Sequence, residues 1–303
     1  MRFEHRSTGH IAAIFTVSVW GATFISTKIL LRHFTPVEIL LLRFALGLAA
    51  LWVISPRSMR LQERRHEAYF AGAGLSGLVL YYLCENIALN YGDASVIGVM
   101  VSSAPLFAGI CSALFLKTHL KPGFFVGFAV AIVGLCLIAA GDGGSGHVQP
   151  VGAALAFCAA MAWGVYSTLT RKIAECGYPT VGATRRIFTY GVAFMLPIAA
   201  AMHFRPQAVW TASPVEIANL LFLGLGASAL CFMTWNFAVK LLGTVKTCVY
   251  IYASPAVTVV LAAIILHERM TPQAIVGTIL VLAGLLLSEG RFPGRKEAQH
   301  GTL

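Results

Sequence analysis

The sequence predicts an all-α integral membrane protein of ten transmembrane helices, arranged as two inverted five-helix repeats, and three observations predict it. First, 58% of the residues are hydrophobic, only 11% are charged and the mean hydropathy is +0.78, too apolar for a soluble domain that must cover its surface with polar groups. Second, ten apolar runs follow one another along the chain, mostly of about 17–25 residues, the length needed to cross a ~30 Å hydrocarbon core as helix. Third, the chain repeats itself: Trp20-Gly-Ala-Thr-Phe-Ile-Ser-Thr-Lys28 returns, loosened, as Trp163-Gly-Val-Tyr-Ser-Thr-Leu-Thr-Arg171.

The runs lie at 10–31, 36–55, 68–90, 94–116 and 122–140, then at 150–170, 179–202, 215–239, 245–266 and 272–289. The first follows Arg2 and Arg6, as the core of a secretory signal would. It is too long for such a core and has no small-residue cleavage site after it, so an uncleaved first helix is expected. Charge then sets the orientation, because short cytoplasmic loops are enriched in Lys and Arg. With the N-terminus inside, Arg57, Arg60, Arg64, Arg65, Arg171, Lys172, Arg185, Arg186, Lys240 and Lys246 fall on the inner face, leaving Lys28, Arg32, Arg205 and Arg269 outside. Both termini are therefore expected in the cytoplasm. This asymmetry accounts for the net charge of +10 with a lipid bilayer as the partner and no nucleic acid. The seven cysteines are scattered and odd in number, forming neither a disulfide framework nor a metal spacing.

The repeat extends through both halves. A shift of 143 residues superposes Trp20-Gly21 on Trp163-Gly164, Pro36 on Pro179 and Arg43 on Arg186. A shift of 150 superposes Gly74 on Gly224, Asn86 on Asn236, Pro105 on Pro255, Gly127 on Gly277 and Gly134 on Gly284. The difference of seven fits an insertion in the 203–214 connection. Residues 1–142 form the first copy, 143–149 an external linker and 150–303 the second copy with a short cytoplasmic tail. Five spans per copy force the second to enter from the opposite side. Inverted copies are a signature of secondary transporters, with substrate near the midplane between them, although a duplicated structure also serves channels.

Trp20-Gly-x-x-Phe24 with Lys28, Pro36 followed by Leu-Leu-Arg43-Phe, Asn86-x-Ala-Leu leading into Gly-Asp-Ala-Ser, Pro105, Gly127 and Gly134 resemble the EamA-type members of the drug/metabolite transporter superfamily over essentially the whole chain. Within it the chain looks most similar to aromatic amino-acid exporters. The resemblance implies a multi-pass protein of the bacterial inner (plasma) membrane that exports small organic solutes, aromatic or other neutral amino acids foremost, by alternating access. One landmark departs: the acid that often ends the fourth helix of a copy is Glu268 in the second copy but Thr118 in the first.

Polar side chains within spans usually face the protein interior or a cavity, which selects the candidate substrate-binding residues. Trp20, Thr23 and Phe24 share one stripe of the first helix, and Trp163, Tyr166 and Ser167 repeat it in the sixth. Close helix packing is the competing reading, above all for Gly21 and Gly164. The third helix offers Tyr81, Tyr82, Glu85 and Asn86, the last three on one face, and the eighth offers Phe232, Trp235 and Asn236. Those amides serve either a substrate or a neighbouring helix. Ser102-Ser-Ala-Pro105 and Tyr252-Ala-Ser-Pro255 interrupt the fourth and ninth helices, making Pro105 and Pro255 candidate hinges. Ser102, Tyr252, Met100 and Tyr250 are candidate cavity residues beside them. Glu85, an acid inside a span, is expected to pair with Arg43 at similar depth, to bind a substrate ammonium or to carry a proton. Lys28 is a rival partner.

An enzyme is not expected: the chain lacks H-E-x-x-H, G-x-x-x-x-G-K-[ST] and any acid cluster for a metal, and so implies no cofactor. A proton-coupled exporter of amphipathic drugs or other metabolites is the principal rival, and a channel a lesser one. Oligomeric state is left open, monomer included, since Gly123-x-x-x-Gly127 suits packing within a chain as well as dimerisation.

Overall fold

The computed structural model describes residues 2–57, 59–116, 122–139, 148–242 and 249–288, without the side chains of residues 2–6, Leu116, Ala139, Asn236, Val239, Lys240, Leu242, Val249 and Tyr252. Most of the expected 143–149 linker, the residues beyond 288, Thr118 and Lys246 lie outside that set. Among the described residues the chain is helical without strands, apart from one bridge between Gly92 and Val148.

Among the described residues, and apart from the short turns Arg64–His66 and Gln207–Trp210, ten helical rods fall on the ten apolar runs. They are α1 (Arg2–Leu30), α2 (Pro36–Ile54), α3 (67–88), α4 (94–116), α5 (Pro122–Ala139), α6 (Pro150–Glu175), α7 (Thr180–Ala201), α8 (214–242), α9 (249–266) and α10 (Pro272–Ser288). Among the described residues, five segments are long and apolar enough to cross a membrane: Ser7–Leu30, Pro36–Ile54, Ala94–Phe115, Pro150–Glu175 and Pro214–Trp235. Pro122–Ile138, Ser254–Leu266 and Pro272–Ser288 are apolar but shorter.

Local chemistry sets the rod ends. Thr35 and Glu38 form a capping box at the start of α2, and Ser213 and Glu216 form another at the start of α8, each followed by proline in the first turn, where a missing N–H costs nothing. Interruptions within rods are equally local. In α3 a π-helical stretch, Gly74–Leu80, separates Glu67–Ala73 from Tyr81–Ala88. A related stretch, Phe222–Leu230, precedes Cys231–Leu242 in α8. Rod α4 breaks between Ala94–Val101 and Ala104–Leu116. Pro105 brings no N–H to the ladder, and the hydroxyls of Ser102 and Ser103 donate to the carbonyls of Val99 and Met100 at 2.6 and 2.7 Å. In α9, 3₁₀ residues Val249–Ala253 give way to Ser254–Leu261, with Pro255 in the first turn. Both proline positions therefore sit just beyond a discontinuity.

The packing repeats when the copies are exchanged. Rod α1 lies against α8 and α9 as α6 lies against α3 and α4; α2 and α7 pack on each other and on the π stretches of α8 and α3. Glycine makes the closest of these approaches. A Cβ on Gly21 would meet Val257 at 2.8 Å, and one on Gly164 would meet the Phe107 backbone at 2.7 Å; Phe107 and Val257 are related by the same 150-residue shift. Rods α5 and α10 meet at Gly134 against Gly277 and at Gly127 against Gly284. The pairs run in opposite chain directions, so these rods are antiparallel, and the 150-residue shift carries one pair into the other. Small residues allow such backbone contact, which supplies the van der Waals packing that holds helices together where lipid offers no hydrophobic drive.

One end of the bundle is basic. Arg57, Arg60, Arg64 and Arg65 are exposed there, while Arg185 donates to the carbonyls of Ser55 and Arg57 and lies 4.2 Å from the Trp52 ring centroid. Arg186 donates to Glu67 through Nε at 2.8 Å and Nη2 at 2.5 Å. That hydrogen-bonded guanidinium holds the Glu67 carboxyl below the usual carboxylate range against the opposing effect of burial, and the Tyr190 hydroxyl adds to it. At the opposite end Arg205 pairs with Glu38 at 2.9 Å.

Candidate functional site

The rods enclose a central cavity of about 110 Å³. Rod α1 contributes Trp20, Thr23 and Phe24; α3 contributes Tyr81, Tyr82 and Glu85; α4 contributes Gly98, Val101, Ser102, Ala104 and Pro105. Trp163 of α6, Phe232 of α8 and Ile251 and Ser254 of α9 complete the wall. Rods α4 and α9 reach it at their breaks, and the π stretches of α3 and α8 end just before the residues those rods place in it.

The aromatic groups gather about the two indoles, and Phe44 and Phe188 link the groups through Tyr82 and Phe232. Trp20 lies 5.3 Å from Trp235 and 6.1 Å from Phe232 between ring centroids, and its Nε1–H donates to the Ala227 carbonyl at 3.2 Å. Trp163 lies 4.8 Å from both Tyr81 and Tyr166, and Tyr81 meets Tyr82 edge-on at 4.6 Å. Each indole of the Trp-Gly repeat thus reaches the third helix of the opposite copy, while its glycine sets the helix spacing.

Of the residues selected from the sequence, Trp20, Thr23, Phe24, Tyr82, Glu85, Ser102, Trp163 and Pro105 line this cavity. Thr23 spends its hydroxyl on the Trp20 carbonyl at 2.6 Å. Others lie apart from it. Met100 is buried in the hydrophobic core. Asn86 is buried and donates to the Pro36 carbonyl at 3.5 Å, the helix-to-helix role. Tyr166 is buried with its ring over Gly77, in a notch with no room for a Cβ. Ser167 and Pro255 lie off the cavity wall, and Trp235 backs Trp20 from behind. Tyr250 bonds to His10 at 2.5 Å. The side chains of Asn236 and Tyr252 lie outside the described residues. Tyr81 and Phe232, named with the third and eighth helices, are also members of the wall.

The expected ion pair between Arg43 and Glu85 is not formed. Equal depth put the two at one level without fixing their directions, and the Arg43 guanidinium instead stacks 4.4 Å from the Tyr82 ring centroid. Its Nε donates to Ser228 at 3.1 Å and its Nη2 to Tyr82 at 3.4 Å. Lys28 is not the partner either: it donates to the carbonyls of Leu89 and Gly92, at the end of α3 and in the turn beyond. Glu85 is 1% exposed and its Oε1 has no hydrogen-bond partner.

Rod α1 is tied near both ends. Towards the basic end, His10 bonds to Tyr250 at 2.5 Å and Thr16 to Thr234 at 2.7 Å. At the other end, Lys28 holds the turn after α3, with Gly92 O at 2.7 Å. These ties flank the cavity above and below.

A solved crystal structure superposes on the chain with a TM-score of 0.61 at 21% identity, over 95% of this chain and 97% of that one, a likeness of fold. A probable terminal-alkyne amino-acid exporter from Streptantibioticus cattleyicolor is 28% identical over 94% of each chain. A probable amino-acid metabolite efflux pump from Salmonella typhimurium is 23% identical over 95% of this chain and 96% of its own. The EamA-like transporter family matches twice, at residues 7–140 and 150–289, on the two halves whose glycines and tryptophans occupy equivalent positions around the cavity. The chain belongs to the EamA-like transporter family.

Proposed function

We propose that this transporter exports neutral amino acids, aromatic ones foremost, from the bacterial cytoplasm across the inner membrane. In this reading each five-helix copy contributes five spans, the copies are inverted, and both termini face the cytoplasm with the basic end of the bundle. The observation that carries the reading is the cavity wall: Trp20 and Trp163, equivalent residues of the two copies, stand in it with Phe24, Tyr81, Tyr82 and Phe232. Aromatic faces offer offset or edge-on stacking to an aromatic solute. The names of the two relatives agree in naming amino acids or their metabolites as cargo.

The cavity of about 110 Å³ is smaller than the ~300–1,000 Å³ typical of sites that enclose a drug-sized ligand, so an aromatic amino acid enters only when the walls part. Alternating access provides that opening. Release of His10–Tyr250 and Thr16–Thr234 opens the basic end, release of Lys28 from the end of α3 opens the other, and the breaks beside Pro105 and Pro255 absorb the rearrangement.

Counterflow in liposomes tests this. With purified protein and no ion gradient, labelled phenylalanine should accumulate transiently against unlabelled tryptophan or phenylalanine inside, with saturation, while glutamate gives none. Flux that neither saturates nor depends on the solute loaded inside would instead identify a channel, and absence of phenylalanine flux would remove the amino-acid assignment.

A further inference from the structure

One charged side chain stands in the cavity wall, Glu85. It is buried, and its Oε1 accepts no hydrogen bond. Burying a carboxylate without its full set of partners is costly. The Arg43 guanidinium forms no ion pair with it: Nε donates to Ser228 and the group lies on the face of Tyr82, leaving Nη1 without a partner, while Lys28 donates to two carbonyls. The wall that Glu85 shares carries the aromatic rings of Trp20, Tyr81, Tyr82 and Trp163. A carboxylate acceptor among indole and phenol faces is the chemistry that receives an organic ammonium ion, which gains a charge-assisted hydrogen bond and cation–π contact together. The wall holds no cation to receive a carboxylate, since the guanidinium of Arg43 lies against Tyr82 and is not part of the lining.

We propose that Glu85 is the ammonium-recognising residue of the cavity, and that the site reads the protonated amine and the ring of its solute while leaving the carboxylate unread. Arylalkylamines, which keep the ring and the ammonium group but have no carboxylate, are then ligands in their own right. This rests on the carrier reading above and deepens it by naming the group on which selection turns.

The test compares four probes on the wild-type protein: phenylalanine, phenethylamine, N-acetylphenylalanine and 3-phenylpropionate. Each is measured as a competitor of labelled phenylalanine in liposomes and, independently of transport, as a stabiliser of the detergent-purified protein in thermal unfolding. Phenethylamine should compete and stabilise at least as well as phenylalanine. The two probes without an ammonium group should be weaker by roughly ten- to a hundredfold, as expected for loss of a hydrogen bond to a charged group. In Glu85→Gln the amine preference should vanish, and Glu85→Asp should retain part of it. Equal potency of N-acetylphenylalanine and phenethylamine on the wild type overturns the proposal, as does an amine preference that survives in a folded Glu85→Gln protein. If phenylalanine is not carried but phenethylamine still stabilises the wild type, the amino-acid reading fails and the assignment of Glu85 stands.

Discussion

Glu268, in the connection between α9 and α10, accepts the backbone N–H of Ser95 at 3.0 Å and the Ser95 hydroxyl at 2.8 Å, with the N–H of Ala94 on its other oxygen at 2.9 Å. His267, left-handed at φ 56°, ends α9 immediately before it. Asp93 occupies the N-cap position of α4 but its side chain makes no capping bond, so an acid from the other copy closes this helix. The family's acidic landmark is here a clamp on the positive end of α4, and it fastens the second copy to the first.

The clamp sets the first prediction. Glu268→Ala leaves two orphan N–H groups at the start of α4 and should lower stability by about 1–3 kcal/mol, in the range of lost caps and unsatisfied buried donors. Glu268→Gln, which keeps one acceptor oxygen, should lose less. Thermal unfolding in detergent ranks the two, and an unchanged midpoint for Glu268→Ala would show that the clamp is incidental.

A second prediction contrasts glycines of the α5–α10 seam. A Cβ on Gly284 would lie 2.5 Å from the Gly127 carbonyl and 2.6 Å from the Ala131 amide, both backbone, whereas on Gly123 its nearest neighbour is the Leu287 carbonyl at 3.4 Å. Gly284→Ala should therefore destabilise by about 1–3 kcal/mol through forced separation of the rods. Gly123→Ala should fall between neutral and about 1 kcal/mol stabilising, because alanine favours helix. Denaturation midpoints of the two variants check the sign as well as the size.

Gly127, Gly134, Gly277 and Gly284 were visible in the sequence because a repeat shows itself as residues recurring at a fixed shift, and a glycine that recurs inside an apolar run marks a close approach. The stripe Trp20, Thr23, Phe24 was visible for a similar reason, since helical period fixes which residues share a face. Period does not fix where that face points. Asn86, grouped with Tyr82 and Glu85 by spacing, turns to Pro36, and Tyr166, on the stripe of Trp163, fills the notch over Gly77. Met100 corresponds to Tyr250 in the repeat, yet the first packs in the core and the second bonds to His10. The pairing of Arg43 with Glu85 failed on direction too: depth along two helices is legible from spacing, but the Tyr82 ring and the Ser228 hydroxyl that turn the guanidinium aside come from separate parts of the chain.

A third prediction concerns the wall. Trp163→Ala removes an indole face from the cavity and should raise the half-saturating phenylalanine concentration by about tenfold, from lost stacking and buried area. Tyr166→Phe keeps the ring that covers Gly77 and should leave transport within about twofold, as substitutions that spare the packing do. Initial rates over a range of phenylalanine concentrations separate the two; similar losses in both would move the substrate off the wall described here.

The last prediction follows from Glu67 at the start of α3. Its carboxylate accepts from Arg186 Nε and Nη2 and from the Tyr190 hydroxyl, the last at 2.5 Å, and its folded-state pKa lies below the ordinary value chiefly because of the Arg186 hydrogen bonds. A depressed carboxylate pKa means that the unfolded chain binds the proton more readily than the folded one. The stabilisation is therefore complete above the unfolded pKa, near ~4.3 for glutamate, and is lost as pH falls through the lower folded value. Glu67→Gln removes the titrating group and approximates the protonated state at every pH. The wild type should unfold at a higher temperature than Glu67→Gln at neutral pH, with the gap narrowing as the pH is taken below the glutamate range. A gap that stays constant on acidification would place the contribution of Glu67 in packing and not in its charge.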